Sequence, residues 1–389
     1  MARRSLGPEP TTVHWHGLRA PNAMDGVSGL TQDAVAPGES FIYDLPLPDA
    51  GTFWYRSHHR SHEQVARGLA GPLIVEEADG GPDVDGDHTL MLQDWRLVEP
   101  ADISTDFDNM HDRSHAGRLG NYVTANGLGD MRTALPRHSR HRLRLINSAP
   151  ARIFELSFEG LAGWIIAVDG MPLEYPRPIG QTFLPPGGRI DVVVDVTADE
   201  GDEAYVLEIF QGEGFSLATF EVTEAFDERR DTAVETLKPN PAQEQFDPFS
   251  AITVPMIMEG GAMRGLPSAN HKGERVDGQT LSEMGLVWAL NGQMGLSDEP
   301  FIDAAVGDVL RVPLVNNTAF SHVIHLHGHS FQEIRSNGGF GLWRDTIIID
   351  PGQTRDIAFR ADNPGRWLIH SQILQHQAGG METWINVAG

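Results

Sequence analysis

Residues 365–372 read GRWLIHSQ, and residues 51–58 read GTFWYRSH. Each run starts at a glycine, passes through aromatic and apolar residues and ends in polar ones, with His370 in one copy and His58 in the other. A second echo precedes each run, HLHGH at 325–329 and HWHGL at 14–18. The two offsets, 311 and 314 residues, are nearly equal, so the ends of the chain read as copies of one fold. In a strand, residues i and i+2 point to the same face, so His14 and His16, like His325 and His327, present two imidazoles side by side. Two such pairs meeting across a pseudo-twofold interface would enclose metal. One pair alone is readily incidental, but eleven of the 17 histidines fall within 14–62 and 322–376, and that clustering favours metal for the set.

Working outward, the rest of the chain reads as strand. RIDVVVDV (189–196), DVLRVPLVNN (308–317) and RDTIIIDPGQ (344–353) are short β-branched runs closed by Gly, Pro, Asn or Asp. The expectation is an all-β protein of sandwich-like domains. Residues 225–250 are polar, contain proline and lack period-2 alternation, which predicts a linker; a weaker boundary lies at 76–87. Met256, Met258 and Met263 alternate in a strand-like run and are expected to pack in a core rather than bind metal.

Bulk properties narrow the function. The chain has 389 residues, 40% of them hydrophobic, enough for two or three cores. Its formal charge of −25 argues against nucleic acid and anionic membrane as partners, because phosphate backbones reward clustered Lys and Arg. No stretch has transmembrane length, and MARRSLGPEP at 1–10 lacks the apolar core of a secretory signal. The absence of cysteine removes disulfides, thiolate ligands and cysteine nucleophiles. A small-molecule substrate is the expected partner, and oligomeric state leaves no mark on the sequence.

Four segments, TTVHWHGL (11–18), GTFWYRSHHRSHEQVARGLAGPLIVEE (51–77), HVIHLHGHSFQ (322–332) and HSQILQHQAGGM (370–381), resemble in order the copper motifs of the multicopper oxidases. That family consists of laccase-like enzymes with three cupredoxin domains, Greek-key β-sandwiches. The resemblance implies a first domain over 1–78, a middle domain over 84–224 and a last domain over 251–389, with the metal cluster between the first and last. The first motif begins at residue 14, where the family usually places several strands beforehand, so the first domain is expected to be shortened. Family habit also implies a periplasmic or secreted protein.

Carried over position by position, the resemblance implies a mononuclear blue site of His322, His376 and axial Met381, with Ser371 at the cysteine position. It implies a type 2 copper on His14 and His325, and one of the paired coppers on His58, His327 and His370. The other would fall to His16, Arg56 and Gln372, of which His16 is the one competent ligand. Asp25 matches an acidic residue near the type 2 water and is the candidate to orient that water or act as base.

These departures change the chemistry. A blue copper site depends on a short thiolate bond, which the neutral hydroxyl of Ser371 does not supply. Arg56 places a fixed positive charge where a cation would sit, a repulsion of about 4 kcal/mol for unit charges 4 Å apart at an effective dielectric near 20. The expectation is a copper-binding oxidoreductase by ancestry, holding one or two copper ions, without ordinary laccase reduction of dioxygen. Two alternatives stand beside it. Three histidines with an open fourth position also suit zinc and a hydrolase or lactonase. A metal-free cupredoxin scaffold, or a laccase silenced by substitution, is the other.

Overall fold

A computed structural model describes residues 2–4, 7–78, 80–225, 228, 230 and 232–389; residues 226, 227, 229 and 231 of the expected linker therefore lie outside the described residues. The all-β expectation holds. The described residues form antiparallel and mixed sheets, with helices of six residues or fewer. No helix among them is long and apolar enough to cross a membrane.

The first sheet orders its strands His14–His16, Gly51–Arg56 and Ala70–Val75, all antiparallel. One face carries Trp15, which packs with Tyr43, Phe53 and Leu18; the other carries the histidines. Two middle sheets follow, of six and five strands. RIDVVVDV forms the strand Arg189–Val196 between Leu161–Val168 and Arg140–Asn147, and its apolar residues join a core with Leu143, Phe154 and Phe220. Two final sheets, of seven and five strands, enclose a third core around Leu310, Phe331 and Trp367. Met256 and Met258 are fully buried in that core, as their alternation predicts, whereas Met263 is exposed.

The repeat read from the sequence is a repeat of backbone register. His14 lies opposite Arg56 across the first ladder, and His325 lies opposite His370 across the last. Arg56 is thus the counterpart of His370, and His16 the counterpart of His327.

Gly17 shows why this histidine motif ends in glycine. Its φ is +87°, and a Cβ there would stand 2.3 Å from Arg189 Nη2 and 2.8 Å from Asp345 Oδ2. The glycine lets the middle and last sheets press charged side chains against the first histidine strand. Gly187 does the same from the other side, its α-carbon backing onto His16 and Gln372.

A histidine cluster between the first and last sheets

His14, His16, His325, His327 and His370 are at most 1% exposed, and His58 is buried close by. Potential ligand atoms of His58, His327 and His370 lie within 4.8 Å of one another, and so do those of His14, His16 and His325 and those of His14, Asp25 and His327. The resemblance placed His16 with Arg56 and Gln372. In the structure it stacks on His325, with ring centroids 3.7 Å apart, and joins the His14 set.

Hydrogen bonds fix the tautomers. A carbonyl or carboxylate oxygen only accepts, so the ring nitrogen facing it carries the proton. Asp25 O holds His14 Nδ1 at 2.9 Å and Asp345 O holds His325 Nδ1 at 2.9 Å. Asp25 Oδ2 accepts from His327 Nδ1 at 2.9 Å, Ser371 O accepts from His370 Nδ1 at 2.7 Å, and His58 bonds its own carbonyl. In each ring Nε2 is left as a lone pair. The Nε2 atoms of His14, His58 and His325 are buried with no partner. Those of His327 and His370 face each other at 3.1 Å with no proton between them. His16 is reversed: Nε2 meets Thr346 Oγ1 at 3.2 Å and Asp345 Oδ1 at 3.4 Å, leaving Nδ1 without a partner.

Protonation does not relieve the convergence. Burial, then the neighbouring imidazoles and, for His58 and His370, Arg56, holds His16, His58, His327 and His370 well below the usual imidazole range, so all four are neutral at pH 7. Buried, neutral nitrogen lone pairs aimed at a common space suit a metal cation.

Arg56 stands at one edge of this space, fully buried. Its Nη2 donates to His370 Nε2 at 3.2 Å and to Gln372 Oε1 at 3.1 Å, while Nη1 donates to Ser57 O at 3.3 Å. Burial lowers its pKa to about 9, against the opposing pull of Asp25, and it remains a cation at neutral pH.

A second convergence lies in the last sheets. His376 Nε2 donates to His115 O at 2.6 Å, and His322 Nε2 hydrogen-bonds with Thr318 Oγ1 at 2.8 Å. Their Nδ1 atoms face each other at 3.0 Å. Ser371 Oγ is buried without a partner, and Met381 is fully buried. Ser371 N donates to Met381 O at 3.0 Å. The blue-site residues that the resemblance implies include no thiolate and do not fit a blue copper centre.

Several residues here went unnoticed in the sequence. Asp345 is the counterpart of Asp25: each holds one histidine of each strand pair, Asp345 holding His325 and His16 as Asp25 holds His14 and His327. Arg189 binds Asp345 through two hydrogen bonds, 2.8 and 2.6 Å, and holds its carboxyl well below the usual range despite complete burial. Asp169, beside them, is pushed up to about 6 by burial and the Asp345 charge. The available signal was a charged residue at the head of an otherwise apolar strand, as in RIDVVVDV and RDTIIID. His115, given no role from sequence, contributes its carbonyl. His59 and His62 bind Ser28 and Asp108, and His329 bonds His327 O; none joins the cluster.

Family models described as multicopper oxidase match residues 4–80, 86–234 and 268–388. The crystal structure of Lac15 from a marine microbial metagenome is 38% identical and superposes with a TM-score of 0.78, over 99% of this chain and 88% of that one. A multicopper oxidase from Pseudomonas thermotolerans gives a TM-score of 0.83 at 29% identity, over 98% and 87%. Multicopper oxidase MmcO of Mycobacterium tuberculosis is 27% identical, covering 96% of this chain and 76% of the relative. The chain belongs to the multicopper oxidase family, whose fold and copper-binding, laccase-like oxidoreductase character it shares by descent.

Proposed function

We propose that the protein is a copper-binding oxidoreductase with a reduced complement of one or two ions. His58, His327 and His370 would hold one, and His14 and His325, with His16 alongside, the other. The observation that carries this reading is the convergence of buried ring nitrogens, those of His58, His327 and His370 within 4.8 Å of one another, with the Nε2 atoms of His14, His58 and His325 left without a partner. Bound copper would supply one-electron redox chemistry at the cluster. Asp25 would orient one ligand of each set and stand as the base nearest a water between them, through its contacts with His14 and His327. A surface cavity of about 490 Å³ has His58 in its wall.

Ser371 interrupts the thiolate route by which a laccase delivers electrons, and Arg56 with Gln372 takes the place of one ligand set. The proposed activity is therefore narrower than four-electron reduction of dioxygen. The test is copper and zinc counted per chain in protein purified without chelator, with an absorption spectrum on the same sample. The expected result is one or two coppers and no blue thiolate band. Stoichiometric zinc would replace this reading with metal-dependent ester or lactone hydrolysis; no metal after reconstitution would overturn both.

A further inference from the structure

The ring nitrogens of His58, His327 and His370 form a ligand set with no anionic member. Asp25 stands behind one of these rings, its Oδ2 accepting from His327 Nδ1 at 2.9 Å. Arg56 stands beside another, with Nη2 at 3.2 Å from His370 Nε2. The guanidinium is fully buried, and among the described residues no carboxylate is bonded to it. One negative and one positive charge thus flank a neutral set, and the arginine cancels what the aspartate would lend to a bound cation.

The field of Arg56 reaches the ligand nitrogens themselves. After burial, it is the largest influence holding His58 and His370 well below the usual imidazole range. A proton on either ring is a unit cation, and an ion bound there meets the same field once for each charge it carries. Burial acts in the same sense, because the cost of taking an ion out of water grows with the square of its charge. Imidazole accepts copper as well as zinc, so the surrounding charge rather than the ligand type separates the ions. An ion that takes the His370 lone pair removes one acceptor from Arg56. Gln372 Oε1 at 3.1 Å and Ser57 O at 3.3 Å still hold the guanidinium in place.

We propose that Arg56 makes the set of His58, His327 and His370 a site for monovalent copper and discriminates there against divalent copper and zinc. This rests on the copper reading of the set and names the valence it takes. For unit charges roughly 6 Å apart at an effective dielectric near 20, one additional charge on the ion changes its affinity by about 100-fold.

The experiment is anaerobic titration of metal-free, full-length protein with Cu(I) and with zinc, each against a chelator of known affinity. Zinc supplies the divalent charge and has no second valence to change to. His58→Ala marks which site in the titration belongs to this set. In the unsubstituted protein Cu(I) is expected to bind there at least about tenfold more tightly than zinc. Arg56→Met should tighten zinc by about 100-fold more than it tightens Cu(I). Arg56→Lys keeps the charge and should keep the ratio of the unsubstituted protein within about tenfold. Gln372→Glu sets a carboxylate against the guanidinium while leaving Arg56 in place, and should move the ratio towards zinc. Zinc bound as tightly as Cu(I) in the unsubstituted protein, or an equal gain for both ions in Arg56→Met, would overturn the selection of valence and leave the metal site standing. Neither ion bound by any of these proteins would overturn the copper reading together with it.

Discussion

His58, His327 and His370 on one side of the cluster, and Gln372, His16 and Arg56 on the other, occupy corresponding places in the two copies of the repeat. The ladders make this explicit: His14 pairs with Arg56 as His325 pairs with His370. One set offers three neutral imidazoles. The other offers one imidazole, an amide and a permanent cation, and the amide oxygen accepts directly from the cation at 3.1 Å. Arginine and glutamine at these two places are complementary to each other. The guanidinium keeps a positive charge where a metal ion would have supplied one, and Gln372 gives it an acceptor that a protonated ring nitrogen would not. The difference teaches that a cation buried among neutral imidazoles is a problem in charge and hydrogen bonding, and that the arginine and glutamine together meet part of it.

The largest effect expected from breaking this asymmetry is on the intact side. His327 belongs to two of the ligand groups, so His327→Ala should weaken metal binding by more than about 100-fold and leave less than a tenth of an ion per chain after desalting. Elemental analysis decides it; a full metal complement in that variant would place the ions elsewhere.

The converse change sharpens the comparison from the other side. Arg56→His with Gln372→His removes the internal cation and completes a second three-histidine set around His16. One additional copper per chain is expected on reconstitution. If the count stays the same, more than these two side chains closes that position, with the approach of Gly187 to His16 the first suspect.

The two aspartates behind the imidazoles differ in a parallel way. Asp345 is paired with Arg189, while among the described residues Asp25 has no guanidinium bonded to it. Asp345→Asn leaves Arg189 buried with its principal partner gone, for which a loss of about 3–5 kcal/mol is expected. Metal binding at His14, His16 and His325 should weaken by roughly 10–100-fold through loss of ring orientation. Denaturant unfolding and metal titration measure the two effects separately.

The buried imidazoles also set an acid limit. His16, His58, His322, His327 and His370 are held well below 6.5, chiefly by burial. Below pH 6.5 the unfolded chain therefore binds protons that the folded chain refuses. Stability of the metal-free protein is full above that pH and declines as pH falls, by at most about 1.4 kcal/mol per pH unit for each such group. Melting temperatures recorded between pH 8 and pH 5 should fall steeply over the lower half of that range; a flat profile would mean the rings are accessible and protonated.

Much of this was legible in the sequence because histidine is scarce and spacing in a strand is rigid. The repeat, the all-β fold and the burial of Met256 and Met258 follow from period-2 patterning. The pairing of Arg56 with Gln372 was not legible, since both read simply as failed ligands until packing of the first sheet on the last brings them to 3.1 Å. Asp345 and Arg189 were invisible for a different reason. They are 156 positions apart and meet through packing of the middle and last sheets, a contact that no local pattern encodes.

The smallest expected effect separates the two metal regions. Met381 is fully buried in the core around Trp288 and Ile369, and it lies beside a pocket whose would-be thiolate is Ser371. Met→Leu conserves volume and costs under about 1.5 kcal/mol in most cores. Because the cluster holding His327 uses none of these atoms, Met381→Leu should leave the metal count unchanged within error and lower the melting temperature by a few degrees at most. Ser371→Cys at the same pocket restores a thiolate beside the opposed Nδ1 atoms of His322 and His376. In that background alone, an intense blue absorption should appear with copper, and Met381→Leu should then shift it. A blue band in the unsubstituted protein, or a metal count that follows Met381 but not His327, would reverse the assignment of which half of the molecule kept its metal.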